Sequence, residues 1–260
     1  MRTRAPGLLR DLAISWAGAA LVAPRVPVAT RRRMATRLAR RTLRTLSVRV
    51  TRRGALTPPG APLLVVANHI SWLDVYVLNA LLEGCFVAKS ETAGWPIIGT
   101  ISRGFDAIHL VRESFRDAAR VKDVVAAALS GGERVVVFPE ATTTDGTRLR
   151  RFHPAMFQAA IDARVPVLPV ALSYRRPDGS ADLAPAFIDD MTFVESLRRV
   201  LRASVLRAEV VFGVPLASAG STRRDLARAA HGFVARALAL PAAAIEPQPR
   251  ARRHALRLVG

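Results

Sequence analysis

From residue 63 onward the chain alternates short unbroken apolar runs with longer stretches whose apolar residues recur every three or four positions. The runs at 63–67, 85–88, 107–111, 134–138, 166–173 and 208–212 predict strands. The periodic stretches at 72–83, 114–129, 153–163 and 222–239 predict helices. A run such as RVVVF at 134–138 shows no polar alternation, which suits a strand covered on both faces. Strands and helices taken in turn imply an α/β fold with a mixed, largely parallel central sheet covered by helices.

Before residue 58 the pattern differs. LAISWAGAALVAP (12–24) is apolar but shorter than the roughly 20 residues needed to span a bilayer. It reads as a helix lying on a membrane surface; a cleaved export signal and a soluble core helix are the alternatives, and Asp11 just before the run argues against the signal. TRRRMATRLARRTLRTLSVRV (30–50) predicts a basic amphipathic helix. Met34, Leu38 and Leu46 fall near one face with Leu43 beside it, while Arg33, Arg37, Arg40, Arg41 and Arg44 cover the remainder. A solvated helix face is the plainer reading of the same pattern. Gly54, Pro58, Pro59, Gly60 and Pro62 mark a linker. The chain therefore divides into a basic membrane-associated helical segment (1–57), a catalytic domain (58–240) and a basic, proline-containing tail (241–260) expected to be mobile and to touch lipid.

Charge sharpens this division. Of 260 residues, 39 are basic and 20 acidic, a net charge of +19, and all the basic residues except Lys89 and Lys122 are arginine. No acidic residue lies between Asp11 and Asp74, an interval that holds eleven arginines. Such a field attracts polyanions, either an anionic membrane or nucleic acid. Nucleic acid is set aside, because no aromatics interleave the arginines and no zinc-finger or RRM pattern occurs. Half the residues are hydrophobic, enough for a sizeable core. The single cysteine, Cys85, excludes a disulfide framework and a cysteine-rich zinc site, and with no H-E-x-x-H pattern a metal is not expected.

The candidate chemistry follows strand 63–67, in Asn68-His69-Ile70-Ser71-Trp72-Leu73-Asp74. Taken singly, Ser71 and Asp74 suit a helix start, where an acidic side chain is favoured by the dipole, and His69 could simply end a strand. Taken together they offer more. Five residues of continuous helix would turn the two side chains onto different faces, but His69 before the helix and Asp74 in its first turn can meet. A carboxylate on Nδ1 would fix the tautomer and leave Nε2 as a general base. No G-x-S-x-G supplies a nucleophile and Cys85 sits in an apolar run, so the attacking hydroxyl should belong to the substrate.

NHISWLD resembles the N-H-x-x-x-x-D box of the PlsC-type glycerolipid acyltransferases, and three further matches follow in order. These are AIHLVR (107–112), FPEAT (138–142) and VPVLPV (165–170). The resemblance covers about 60–240. It implies that His69, oriented by Asp74, deprotonates a lysolipid hydroxyl, which attacks an acyl-ACP or acyl-CoA thioester without forming an acyl-enzyme. Backbone amides near Ser71 would serve the oxyanion. Arg112, Glu140 and Thr142 would bind the acceptor, with Lys89 and Ser71 as further substrate contacts. No cofactor beyond the thioester co-substrate is implied. The partners implied are a lysolipid acceptor, acyl carrier protein or CoA, and an anionic membrane surface at the cytoplasmic face of the bacterial inner membrane.

Two departures matter. The family's usual glycine after F-P-E is Ala141, costly if that position takes positive φ. The usual arginine two residues on, assigned to an acceptor phosphate, is Thr143, which cannot make a bidentate charged contact. With VAKSE, WPIIG, the TTTDG extension and RFHPAMFQAAIDARVPVLPVALSY, the text is most similar to bacterial lyso-ornithine lipid acyltransferases, whose acceptor carries no phosphate. A lysophosphatidic acid acceptor, giving phosphatidic acid, and a non-catalytic membrane-binding relative are the alternatives. His153 is expected to cap helix 153–163, Trp95 and Pro96 to border an acyl channel or anchor a turn, and His109 to be merely tolerated.

Overall fold

The computed structural model of the protein describes residues 4–54, 60–89, 96–110, 115–240 and 245–246. The strands are β1 (Val48–Arg53), β2 (Leu63–Ala67), β3 (Cys85–Lys89), β4 (Ile108–Leu110), β5 (Arg134–Val137), β6 (Leu149–Arg150), β7 (Val167–Tyr174), β8 (Leu206–Phe212) and β9 (Ile245–Glu246). The helices are α1 (Arg4–Ala17), α2 (Val28–Thr45), α3 (Leu73–Leu81), α4 (Pro96–Gly104), α5 (Phe115–Ser130), α6 (Phe157–Asp162), α7 (Phe193–Arg202) and α8 (Arg223–Ala237).

Seven strands form one sheet in the order β1-β8-β7-β2-β5-β3-β4. The five from β7 to β4 run parallel; β8 is antiparallel to β7, and β1 is parallel to β8. The sheet is thus mixed and largely parallel, as the alternating pattern implies. Both faces are covered. Leu63, Val65 and Ala67 share one core with α1, α2 and α3, whereas Leu64 and Val66 share another with residues of α5, α6 and α8. The unbroken apolar run of β2 follows from this, since every one of its residues is buried.

The N-terminal half departs from expectation. The basic helix does not run to residue 50. It stops at Thr45, Ser47 takes a left-handed φ of 56°, and the β-branched, alternating sequence Val48–Arg53 becomes the edge strand β1. Exposed Arg49, Arg52 and Arg53 keep that open edge polar. Nor does α2 turn its apolar stripe outward. Leu43 and Leu46 are buried, Met34 and Leu38 are half-buried, and α2 packs against α3. Several of its arginines are used internally: Arg32 pairs with Glu133 at 3.1 Å, Arg40 donates to the Ala80 carbonyl, and Arg41 meets Asp11 at 2.6 Å. Asp11 is fully buried, held also by the Thr45 hydroxyl at 2.6 Å, which accounts for one acid in a basic half.

Of the N-terminal segment's large apolar side chains, most of those left in solvent lie on α1 and the turns after it. Leu9 is 67% exposed, Trp16 43% and Leu21 58%, with Ile14 and Val22 beside them. A π-type turn at Gly18–Val22 follows α1 and packs on α4. Gly104 is required there, because a Cβ would come within 2.7 Å of the Ala19 backbone. Among the described residues no helix is long and apolar enough to cross a membrane.

Elements not expected from the sequence are β1, α4, β6, α7 and β9. In α7 the signal was present: Thr192 accepts from the Glu195 N–H while the Glu195 carboxylate accepts from Thr192, a complete capping box. Of the tail, only Ile245–Glu246 is described, pairing in parallel with β6; the rest, including His254, lies outside the described residues.

Candidate active site

The carboxyl ends of the adjacent strands β7, β2 and β5 are where an α/β sheet of this kind places its ligands. The chemistry-bearing residues gather there. Asn68 leaves β2 and clasps β7, its amide donating to the Leu172 carbonyl and its oxygen accepting from the Leu172 N–H, each at 2.8 Å. His69 follows, its backbone held on both sides by the loop after β5. Its N–H donates to Glu140 Oε1 at 2.8 Å and its carbonyl accepts from the Thr144 N–H at 2.9 Å. The imidazole stacks on Phe138, centroids 3.9 Å apart and 12° from parallel.

His69 Nδ1 lies 2.8 Å from Asp74 Oδ2. The carboxylate requires a proton on Nδ1, so Nε2 carries the lone pair, and the side chain keeps 20% of its surface open. Residues 70–72 make the turn that a continuous helix would not, and two of their N–H groups use the same carboxylate. Ile70 N–H and Ser71 N–H donate to Asp74 Oδ2 at 2.6 and 2.9 Å, while the Tyr174 hydroxyl donates to Oδ1 at 2.8 Å. Asp74 is completely buried, and these donors replace the water that a buried anion lacks. Burial first, then the Asp74 charge, raises the Tyr174 phenol well above its ordinary range, so Tyr174 stays a donor.

The structure places the other expected site residues as follows. Ser71 is buried, its hydroxyl accepts from the Leu73 N–H at 3.2 Å, and its own N–H serves Asp74. The Ile70 and Ser71 amides are therefore committed to the carboxylate rather than to an oxyanion. Glu140 is also turned inward. Its two oxygens accept from the His69 and Arg150 N–H groups, so it brackets the histidine loop. Burial pushes its carboxyl up to about 8, against the two backbone hydrogen bonds, and the Asp74 charge adds to the rise. Thr142 is half-buried in the loop after Glu140. Lys89 ends β3, its side chain outside the described residues, as are Arg112 and Trp95 altogether. His153 precedes a 3₁₀ turn at Pro154–Met156 without a side-chain cap; its N–H donates to Pro139 O at 2.9 Å. His109 sits 3.0 Å from the Ser102 hydroxyl, and burial, then Arg103, lowers its imidazole. Burial pushes the Cys85 thiol up to about 11, which leaves it inert as a nucleophile near neutral pH. Among the described residues no cluster of His, Cys, Asp or Glu is arranged to hold a metal.

The two departures in the third motif also have structural form. Ala141 takes φ of 63°, where a Cβ is strained. Ala141→Gly should therefore raise unfolding stability by up to about 1 kcal/mol, the relief of strain exceeding the entropy cost of glycine. Thermal unfolding checks the gain, and turnover close to wild type would show that alanine is accepted at this site. The Thr143 hydroxyl donates to the Phe187 carbonyl, so the position that would carry a phosphate-binding arginine closes onto the chain itself.

Phe138, Asn68 and Thr144 lie in or beside the motifs, but nothing in the sequence says what they touch. Tyr174, 100 residues from Asp74, closes the similar stretch 151–174 but lies outside the four motifs, and nothing in the sequence says that it reaches Asp74.

Comparison with known proteins gives a consistent picture. Residues 40–173 match the family model described as Acyltransferase. The chain is 37% identical over 180 residues to a lyso-ornithine lipid O-acyltransferase of Pseudomonas aeruginosa, covering 69% of each protein. It is 39% identical over 126 residues to a 1-acyl-sn-glycerol-3-phosphate acyltransferase of Neisseria gonorrhoeae, covering 48% of this chain and 49% of that one. The crystal structure of the 1-acyl-sn-glycerophosphate acyltransferase PlsC of Thermotoga maritima shares the fold, with a TM-score of 0.60 at 20% identity over 80% of this chain and 78% of that one.

Proposed function

The chain belongs to the acyltransferase family, and from that premise we propose that it transfers a fatty acyl group from a thioester to the hydroxyl of a lysolipid in membrane lipid biosynthesis, with lyso-ornithine lipid as acceptor. The observation that carries this reading is the His69–Asp74 pair at the end of β2, an imidazole bonded through Nδ1 to a buried carboxylate while its side chain keeps 20% of its surface open.

The mechanism follows from those atoms. Nε2 takes the acceptor's hydroxyl proton as its oxygen attacks the thioester carbonyl carbon. Asp74 stabilises the imidazolium that results. The tetrahedral oxyanion collapses, the C–S bond breaks, and the thiolate leaves with the proton returned from Nε2. The acyl group ends on the acceptor oxygen and no acyl-enzyme forms. Acyl carrier protein or CoA carries the thioester, and Lys89, Arg112 and Thr142 contact the substrates.

Lyso-ornithine lipid is favoured over lysophosphatidic acid because Thr143 offers no charge for a phosphate and its hydroxyl is bound to Phe187. The substrate and product are bilayer lipids, and the exposed face of Leu9, Ile14, Trp16, Leu21 and Val22 suits shallow insertion into the cytoplasmic leaflet. Exposed Arg33, Arg37 and Arg44 of α2 add attraction to anionic headgroups, ~1 kcal/mol for each residue close to the surface. This assigns membrane contact within residues 1–57 chiefly to α1.

The test is acyl transfer from both thioester carriers to lyso-ornithine lipid and to lysophosphatidic acid, in anionic vesicles and in mixed micelles. The expected result is faster transfer to lyso-ornithine lipid. Leu9→Ser combined with Trp16→Ser should reduce transfer on vesicles while sparing it in micelles. A preference for lysophosphatidic acid would refute the acceptor assignment, and equal loss of the double variant in both media would refute the docking face.

A further inference from the structure

We propose that Tyr174 is a positioning residue for the transfer reaction, its hydroxyl holding the Asp74 carboxylate in the orientation and charge state that tune His69 as a base. The inference rests on the acyl-transfer reading and extends it to a residue outside all four sequence motifs.

The geometry is asymmetric. Asp74 Oδ2 accepts three bonds, from His69 Nδ1, Ile70 N–H and Ser71 N–H, whereas Oδ1 accepts only the Tyr174 hydroxyl among the described residues. Asp74 is fully buried and Tyr174 is 2% exposed, so water does not substitute at Oδ1. Removing the hydroxyl leaves an anionic oxygen without a donor and free to rotate away from the histidine. It also withdraws a bond that spreads the carboxylate charge, so the carboxylate binds the imidazolium proton more strongly and the base is harder to unload.

The scaffold is built to deliver this hydroxyl. Tyr174 ends β7, next to β2 in the sheet, and Ala67↔Val170 register with the Asn68–Leu172 clasp sets how far β7 runs past the histidine. The paired register of Tyr174 with Ala208 on β8 braces the other side. The other ionisable group bonded to this pair is Glu140, through the His69 N–H, and it keeps that contact when Tyr174 is changed.

Tyr174→Phe removes one oxygen and retains the ring. It should lower kcat about tenfold to a hundredfold, the range for losing a hydrogen bond to a charged group, with KM for donor and acceptor within about twofold. The acid limb of the kcat/KM profile should move to higher pH, and the His69 ring titration followed by NMR should move with it. Val234→Ala, in the core on the other side of the sheet, serves as the stability control and should leave the acid limb in place.

A second measurement holds even if Tyr174→Phe folds poorly. The chain has two tyrosines, so growth on 3-fluorotyrosine in a Tyr76→Phe background labels position 174 alone. The more acidic phenol donates more strongly, and the acid limb should shift the opposite way, to lower pH. An unmoved His69 titration in both proteins overturns the inference while transfer activity stands. If the wild type and His69→Ala are equally inert, the acyl-transfer reading fails and the inference falls with it.

Discussion

His69→Ala is expected to lower kcat/KM for acyl transfer by ~10²–10⁴-fold, the usual contribution of a placed general base. The imidazole that meets Asp74 is removed, while Phe138 and the backbone clamps from Glu140 and Thr144 remain to hold the loop. Asp74→Asn should cost about as much for a different reason. The amide oxygen takes the Oδ2 place, where the Ile70 and Ser71 N–H groups need an acceptor, and as a neutral group it no longer stabilises the imidazolium that forms. Both losses should appear in kcat, with KM little changed, because neither side chain is asked to bind the acyl chain or headgroup. Steady-state kinetics on protein shown to be folded by circular dichroism decides the matter. His69→Ala retaining a tenth of wild-type activity would falsify the general-base assignment.

Glu140 carries the largest expected effect on stability. Its replacement by alanine leaves the His69 and Arg150 N–H groups buried without an acceptor, at roughly 1–3 kcal/mol each. Chemical denaturation should therefore show a loss of about 2–6 kcal/mol, and turnover should fall too, since the His69 backbone loses a clamp. The pH dependence has a defined sign. The folded-state carboxyl is raised from 4.5 to about 8 by burial, so the folded protein binds this proton more tightly than the unfolded chain. Its favourable contribution is complete below pH ~4.5 and is lost as pH rises through about 8, a change on the order of a few kcal/mol. In Glu140→Gln that slope should vanish from the stability–pH curve between those limits. A wild-type curve that rises over the same interval, relative to the variant, would mean that Glu140 is ionised at neutral pH and that its two backbone bonds outweigh burial.

Much of the candidate site is legible in the sequence. His69 and Asp74 are separated by five residues with a predicted strand end before them and a helix start within them, and this is enough to say that they can meet. Ser71 and Glu140 show the opposite case. Each sits in a motif rich in functional residues, and each is turned inward: Ser71 starts α3 and Glu140 braces the histidine. A motif records that a residue matters to the site, but not whether it faces substrate or supports what does. The apolar pattern of α2 misleads similarly, because an amphipathic stripe looks the same whether it meets lipid or α3. The exposed apolar residues of α1 were masked by the opposite ambiguity, a run too uniform to show which side would be left in solvent.

By itself the sequence determined most of the strand and helix series from 63 to 239, short of α4, β6 and α7, the largely parallel sheet, and the meeting of His69 with Asp74, because each depends on local periodicity or on residues a few positions apart. Its alanine and threonine at 141 and 143 posed the acceptor question, and the left-handed φ at Ala141 and the Thr143–Phe187 bond gave those substitutions their physical meaning. The tertiary structure alone decided which edge of the sheet β1 completes, which N-terminal helix presents its apolar side, and that Tyr174 reaches Asp74 across 100 residues. Those outcomes depend on how strands register and helices dock, and contacts between distant segments leave no periodicity in the chain that makes them.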